Sequence, residues 1–337
     1  MPPTCTGVLL GTHNVGTSAT PCGSRTWPPS DSVMIHVVID ESMSPDEVLA
    51  RLSSLRQHTR GGKRSPHKPL LVLLALGRLT TTGTSALSWA ADSGKLADLI
   101  RAFGPPSATQ PAQAAAYPFT RLRSDGIWTL DRDVPMDRVQ PLTTEEILGR
   151  LDPKLEQALR DPDLAAAAAR RLVESEFPPT VAPDVLTAVG LDPDAVLGVT
   201  GTPVPRRHRQ SSWPATVLQA WDRQCAFCGF DGQLGAATVG VEAAHIRWFA
   251  FDGPDTPDNG LALCSLHHKL FDHGVLGLNH DLRITVSAKF TSRTTTGRTV
   301  YQLHERPLDP RPGTTPPASA HITWHTREVF KSPALTT

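Results

Sequence analysis

The feature that most restricts this 337-residue chain is a set of Cys and His residues between 225 and 268. Cys225-Ala-Phe-Cys228 and Cys264-Ser-Leu-His267 form two short pairs of metal-type side chains. Together they offer three thiolates and an imidazole, the tetrahedral donor set that a structural zinc ion prefers. A lone C-x2-C pair is compatible with redox chemistry or with simple burial, but a second pair at the same spacing favours the metal. Binding one ion through both pairs requires the segment between them to fold back on itself. Five Cys are few for a disulfide scaffold, and three of them fall at metal spacing. A reducing, cytoplasmic setting is therefore expected.

A second polar set is threaded through the first: His245, Asn259 and His268. His267 and His268 are adjacent, so their side chains point in different directions, and one can serve zinc while the other serves a separate ion. Hydrolysis of a phosphodiester at neutral pH needs an activated water, charge neutralisation at the phosphate and help for the leaving oxygen. His245 is suited to be the general base, because a neutral imidazole near its ordinary pKa takes a water proton. His268 is suited to hold a divalent cation, Mg2+ or Mn2+. Asn259 would pin the intervening loop through its amide and orient the base. Any one of these His residues alone would more often be structural; their joint spacing beside a zinc knuckle argues otherwise.

The wording Glu242-Ala-Ala-His245-Ile, Asn259-Gly-Leu-Ala-Leu and His268-Lys-Leu-Phe-Asp272 resembles the HNH endonucleases of the ββα-metal fold, over about residues 213–290. Many members of that family carry a metal-binding Asp or His directly before the first His, where this chain has Ala244. Glu242 shares the strand face of Ala244 and is the expected replacement carboxylate. Asp272, four residues after His268 on one helical face, is a second candidate ligand. His273 is expected to be a surface residue.

The rest of the chain reads as a separate, mainly helical part. Residues 1–43 are rich in Thr, Pro, Gly and Ser and are expected to be a disordered tail, or upstream of the true start, with Cys5 and Cys22 incidental. Ser44-Pro45-Asp46-Glu47 is a capping box opening a helix with Val48, Leu52 and Leu55 on one face. Leu70–Leu76 is apolar on all sides and predicts a buried helix. Residues 96–103 predict a short amphipathic helix. Tyr117–Arg123 and Ile127–Leu130, around Ser124-Asp125-Gly126, predict a small β-hairpin. Further helices are predicted at 143–149, 153–160, 162–176 and 183–189, then a linker at 191–212. A helix over 212–221 leads to Cys225, strands follow at 282–286 and 300–303, and a C-terminal extension packs on the second domain.

Charge gives no overall direction, because Lys+Arg and Asp+Glu both number 33. Local clusters carry the argument instead: Arg56, Arg60, Lys63 and Arg64 in a Gly-containing loop, and Arg206-Arg207-His208-Arg209 in the linker. Each reads either as a solvated turn or as a phosphate contact. No apolar run is long enough for a membrane span.

Pro66-His67-Lys68-Pro69-Leu70-Leu71, Tyr117-Pro118-Phe119, Phe177-Pro178-Pro179 and Asp184-Val185-Leu186 resemble the sulfur-binding domain of McrA-like restriction enzymes, over about residues 44–190. That resemblance implies recognition of double-stranded DNA in which sulfur replaces a non-bridging phosphate oxygen. Sulfur is larger and less strongly hydrated than oxygen, so an apolar pocket beside a cation would favour it. Tyr117, Pro118 and the Lys68 stem would supply the pocket. His67, Lys68 and Arg121 would contact phosphate oxygens or base edges, and Phe119 is expected in the core.

The expected architecture is thus α+β. A tail (1–43) precedes a helical DNA-recognition domain with a small hairpin (44–190), a linker (191–212) and a ββα-metal nuclease domain with structural Zn2+ (213–337). The expected activity is modification-dependent DNA cleavage with a divalent cation. Dependence on methylated or hydroxymethylated bases is one alternative. A non-catalytic zinc-containing reader of modified DNA is the other, for which Ala244 is the best support. Oligomeric state stays open; a homodimer is the simplest arrangement for cutting both strands.

Overall fold

The computed structural model describes residues 43–55, 65–198, 212–308 and 310–336. The N-terminal tail with Cys5 and Cys22, the basic loop with Arg56, Arg60, Lys63 and Arg64, and the Arg206–Arg209 cluster lie outside the described residues.

The first half is built on helices whose starts are written locally. Ser44 Oγ accepts from Glu47 N and opens α1 (Pro45–Ser53). α2 (His67–Thr82) buries every residue from Pro69 to Gly77 and is the central rod of the domain. Gly77 is required there: a Cβ would stand 2.0 Å from the Val189 carbonyl oxygen. β1 (Leu87–Ser88) runs into α3 (Trp89–Phe103), seven residues longer than predicted. The extension is stable because Asp92 reaches back to accept from Ser88 N at 2.8 Å and pairs with Arg78 at 3.0 Å.

The hairpin predicted at 117–130 is not formed. Tyr117–Arg121 is the end of α4 (Pro111–Arg121), and Leu122–Asp125 continues as a 3-10 turn closed by Gly126 at φ 72°. Helix-favouring Gln113 and Ala114–Ala116 precede Pro118, and that run outweighs the single hydrogen bond the proline removes. β2 (Trp128–Leu130) pairs instead with a more distant strand. The helix predicted at 143–149 is likewise divided. α5 (Val139–Thr144) stops, Glu146 adopts φ 51°, and the chain enters β3 (Leu148–Leu151). β3 is central in a sheet of order β1-β3-β2, and Gly149 lets it cross the Trp128 indole, which a Cβ would meet at 2.4 Å. Asp152, Asp161 and Asp192 each cap the helix that follows: α6 (Pro153–Ala158), α7 (Pro162–Glu176) and α9 (Pro193–Leu197). Between the last two lies α8 (Ala182–Val189), ended by Gly190 at φ 87°. Residues 193–197, expected in a linker, are helical because Val196 is buried in this core.

The second half starts with α10 (Trp213–Ala220) and a short hairpin of β4 (Gln233–Leu234) and β5 (Ala237–Thr238). β6 (Val241–His245) and β7 (Gly260–Cys264) are antiparallel, with His245 opposite Gly260 and Val241 opposite Cys264. α11 (Ser265–Asp272) follows at once. β8 (Leu276–Leu278) pairs with β9 (Ile284–Val286), then come α12 (Thr295–Arg298) and α13 (Ser319–Glu328). The predicted strand at 282–286 is shortened because Leu282 takes φ 56°, and residues 301–303 form a 3-10 turn, not a strand. The C-terminal extension packs on both halves: Ile322 joins the core of the second half, while Trp324 and Val329 join the helical-domain core with Trp248. Among the described residues, no helix is long and apolar enough to cross a membrane.

Candidate nuclease centre and metal sites

The β6–β7–α11 unit brings both polar sets onto one small frame. At the zinc-type cluster, Cys225 Sγ lies 3.4 Å and Cys264 Sγ 3.3 Å from His267 Nδ1, and Cys228 Sγ lies 4.0 Å from Cys264 Sγ. Metal–sulfur and metal–nitrogen bonds of a tetrahedral zinc site imply ligand–ligand edges of roughly 3.5–3.8 Å. All four ligand atoms lie within 4.8 Å of one another, so the cluster could hold zinc. Hydrogen bonds from Cys228 and Cys264 drive the Cys225 thiol far down, and the same crowding by Cys225 drives the Cys264 thiol up. Burial opposes a charge on His267, but hydrogen bonds to Cys225 and Cys228 outweigh it and hold that ring at about 9.

His245 ends β6. Its ring stacks on Trp213 at 3.8 Å and 16°, and its Nε2 is 2.8 Å from Asp255 Oδ1. Trp213 is carried to this place by α10, which packs so tightly on β7 that a Cβ on Gly260 would meet Val217 Cγ2 at 2.4 Å. Asn259 is fully buried. Its Oδ1 accepts from Arg247 N at 2.8 Å, and its Nδ2 donates to the carbonyls of Arg247 and Pro254 at 3.0 Å each. The amide therefore ties down the 247–254 loop that leads from His245 to Asp255.

On the facing helix, His268 stands between two carboxylates. Its Nδ1 is 2.9 Å from Glu242 Oε2 and its Nε2 is 3.3 Å from Asp272 Oδ2. Burial opposes the imidazolium, yet Asp272 and Glu242 hold the ring at about 9. Its hydrogen bond with His268 lowers the Glu242 carboxyl in turn. The two carboxylates differ. Glu242 is about half exposed and also accepts from Ser265 Oγ at 2.8 Å. Asp272 is almost wholly buried and accepts from Trp248 Nε1 at 2.9 Å and from Thr180 Oγ1. Among the described residues, three or more metal-type side chains converge only at the Cys-His cluster. Glu242 and His268 are thus a two-donor oxygen and nitrogen pair, and such a pair suits Mg2+ or Mn2+ when water and phosphate complete the shell. Glu242, His245 and His268 line one cleft of about 1190 Å3, which Arg170, Arg171 and Thr180 of the helical domain also line.

Sequence reasoning missed Asp255, Trp213 and Thr180. Asp255 had a signal, since the loop after His245 carries Asp252, Asp255 and Asp258 and a histidine base needs an orienting carboxylate. His273, expected at the surface, is part-buried at the boundary between the halves. It bonds Asp184 Oδ2 at 2.7 Å and faces the Phe103 ring, because the α8 end of the helical domain packs on it.

In the helical domain, Phe119 is in the core as expected. Pro118 is also buried, because α4 carries it inward. Lys68 is ion-paired with Asp125, whose side chain is only 4% exposed. Tyr117 is half-buried, with the Arg121 guanidinium 5.0 Å over its ring. Arg121 also grips Asp137 through Nε at 2.7 Å and Nη2 at 2.6 Å, and that hydrogen bonding raises its pKa. His67 borders Gly104, its Nε2 3.6 Å from where a Cβ would stand.

Comparison with known proteins adds two families. Residues 45–194 match the ScoMcrA-like DNA sulfur-binding domain, and residues 225–279 match the HNH endonuclease family. No curated protein sequence matches the chain. Among solved structures, the chain is similar to the sulfur binding domain of ScoMcrA complexed with phosphorothioated DNA, at 21% identity, covering 42% of this chain and 97% of that one, TM-score 0.36. It is also similar to the sulfur binding domain of SprMcrA complexed with phosphorothioated DNA, at 20% identity, covering 44% and 95%, TM-score 0.37. A third is the modification dependent TagI restriction endonuclease, at 24% identity, covering 41% of each chain, TM-score 0.28. The chain thus joins a region matching the ScoMcrA-like DNA sulfur-binding domain to a region matching the HNH endonuclease family.

Proposed function

We propose that this endonuclease docks its helical domain on phosphorothioate-modified double-stranded DNA and hydrolyses a phosphodiester of that DNA in the cleft between the two halves. The observation that carries the reading is that His245 and the Glu242–His268 pair face one cleft from adjacent elements of a ββα unit. Asp255 holds the Nε2 side of His245, and His245 is the base that takes the proton from water. The water oxygen then attacks phosphorus, and the P–O bond to the leaving sugar oxygen breaks. Asn259 keeps the loop carrying Asp255 at a fixed distance from the base. Asp272 keeps Nε2 of His268, which leaves Nδ1, beside Glu242, as the atom that would hold a divalent cation. A bound cation supplies charge neutralisation at the phosphate and at the leaving oxygen. Asp272 itself is spoken for by Trp248 and Thr180, so its role is to orient His268. Cys225, Cys228, Cys264 and His267 hold zinc as a scaffold.

Recognition is assigned to the surface around Tyr117, Arg121 and His67. An aromatic ring beneath a guanidinium combines an apolar wall with a cation, the pairing that suits a weakly hydrated sulfur on a charged phosphate. The test is supercoiled plasmid, phosphorothioate-modified and plain, incubated with Mg2+ or Mn2+. The protein is expected to cut the modified plasmid alone, and His245→Ala is expected to abolish cutting while duplex binding persists. Tyr117→Ala is expected to erase the preference for modified duplex. Cutting of both plasmids alike, or full activity in His245→Ala, defeats the reading.

A further inference from the structure

The segment from Phe177 to Leu186 was singled out by its sequence, yet neither zinc binding nor base catalysis uses it. In the structure it belongs to the helical domain and meets α11, the helix that carries His268. Asp272 is the point of contact. Its Oδ1 accepts from Trp248 Nε1, while its Oδ2 accepts from Thr180 Oγ1 and lies 3.3 Å from His268 Nε2. A buried carboxylate is stable only when donors satisfy it, and here one of those donors comes from the other half of the protein. Four residues after Thr180, Asp184 accepts from Lys269 Nζ at 3.0 Å and from His273 Nε2 at 2.7 Å. Those two contacts bracket Asp272 on both sides along the chain.

We infer that Thr180 is a positioning residue for the nuclease centre: its hydroxyl fixes the Asp272 carboxylate, which holds His268 with Nδ1 turned to Glu242 and the cleft. The DNA-recognition domain thereby supplies part of the cutting site. Asp184 sets the seat of α11 through partly exposed ion pairs, which contribute little energy on their own. The part-buried Thr180–Asp272 bond is the one that reaches His268. This rests on the reading of His268 as part of the nuclease centre.

The experiment compares the parent with Thr180→Val, which keeps the shape and removes the hydroxyl, and with Thr180→Ser, which keeps the hydroxyl. A hydrogen bond to a charged group corresponds to about tenfold or more in an equilibrium or a rate. Thr180→Val is expected to lower kcat on modified duplex about tenfold, with KM and duplex affinity unchanged, and to move the ring 15N resonances of His268 at fixed pH. Thr180→Ser is expected to retain both. Parent-like kcat with unmoved resonances in Thr180→Val overturns the inference, as does an equal fall in the Val and Ser variants. If Thr180→Val fails to fold, Asp184→Asn, at a partly exposed position, takes its place. A smaller fall in kcat with moved His268 resonances supports the coupling, and unmoved resonances overturn it. The resonances need no cleavage. A parent that cuts nothing therefore counts against the nuclease reading alone, while an active parent with a normal Thr180→Val variant counts against the coupling alone.

Discussion

Asp255→Asn keeps the shape of the group beside His245 and removes its charge. His245 Nε2 stands 2.8 Å from Asp255 Oδ1, and the two side chains are 13% and 11% exposed. When His245 gains the water proton, an effective dielectric of about 20 gives a gross attraction of roughly 5–6 kcal/mol at that separation. The cost of burying both ions takes back much of this. Hydrogen bonds to charged groups net about 1.5–3 kcal/mol. That attraction appears only as the base becomes charged, so it lowers the barrier without changing ground-state binding. At about 1.36 kcal/mol per decade, kcat should fall roughly ten- to a hundredfold, with KM unchanged. Single-turnover cleavage of a modified duplex at saturating enzyme and Mg2+ reads the change. A kcat within twofold of the parent, or an effect confined to KM, would refute the assignment of Asp255 as the partner of the base.

Other consequences are as direct. Cys264→Ser should lose bound zinc by metal analysis and lower Tm; equal metal content and Tm would remove the scaffold role of the cluster. Gly77→Ala drives a methyl against the Val189 carbonyl, so overpacking should cost about 1–3 kcal/mol and lower Tm by several degrees in a thermal scan; an unchanged Tm would show that α2 and α8 separate freely. At Glu156, burial pushes the carboxyl up, but hydrogen bonds from Ser85 and Arg150 more than offset it and hold it below its usual value of 4.5. A depressed carboxyl contributes stability that is present above its unfolded pKa and lost as pH falls through the native value. Glu156→Gln should therefore flatten denaturation midpoints measured from about pH 5 down to pH 2, and an unaltered acid limb would contradict this.

Much of the scaffold was legible because its signals are local. Ser44, Asp152 and Asp161 cap helices that begin where their Asp-Pro or Ser-Pro pairs stand. The all-apolar run after Pro69 could only be a buried rod. The segment 117–130 was misread because Tyr-x-Phe over a few residues fits a strand or a helix equally, and the distant partner β3 decided which part became sheet.

The division at the candidate centre has the same cause. Cys225, Cys228, Cys264 and His267 occur in pairs three residues apart, and that spacing alone turns each pair toward one point. His245, Asn259 and His268 are likewise separated by one hairpin and one turn of helix. Sequence by itself therefore determined the Cys-His donor set and the match to the HNH family, and it singled out His245 as the candidate base. The stacking of Trp213 on His245, the burial of Asp272, the inward turn of Pro118 and the reach of Thr180 across the boundary were decided only by tertiary packing. Thr180 and Asp272 lie 92 residues apart. No local periodicity encodes such a meeting, because it depends on how two cores seat against each other, and that is settled by shape and burial summed over both.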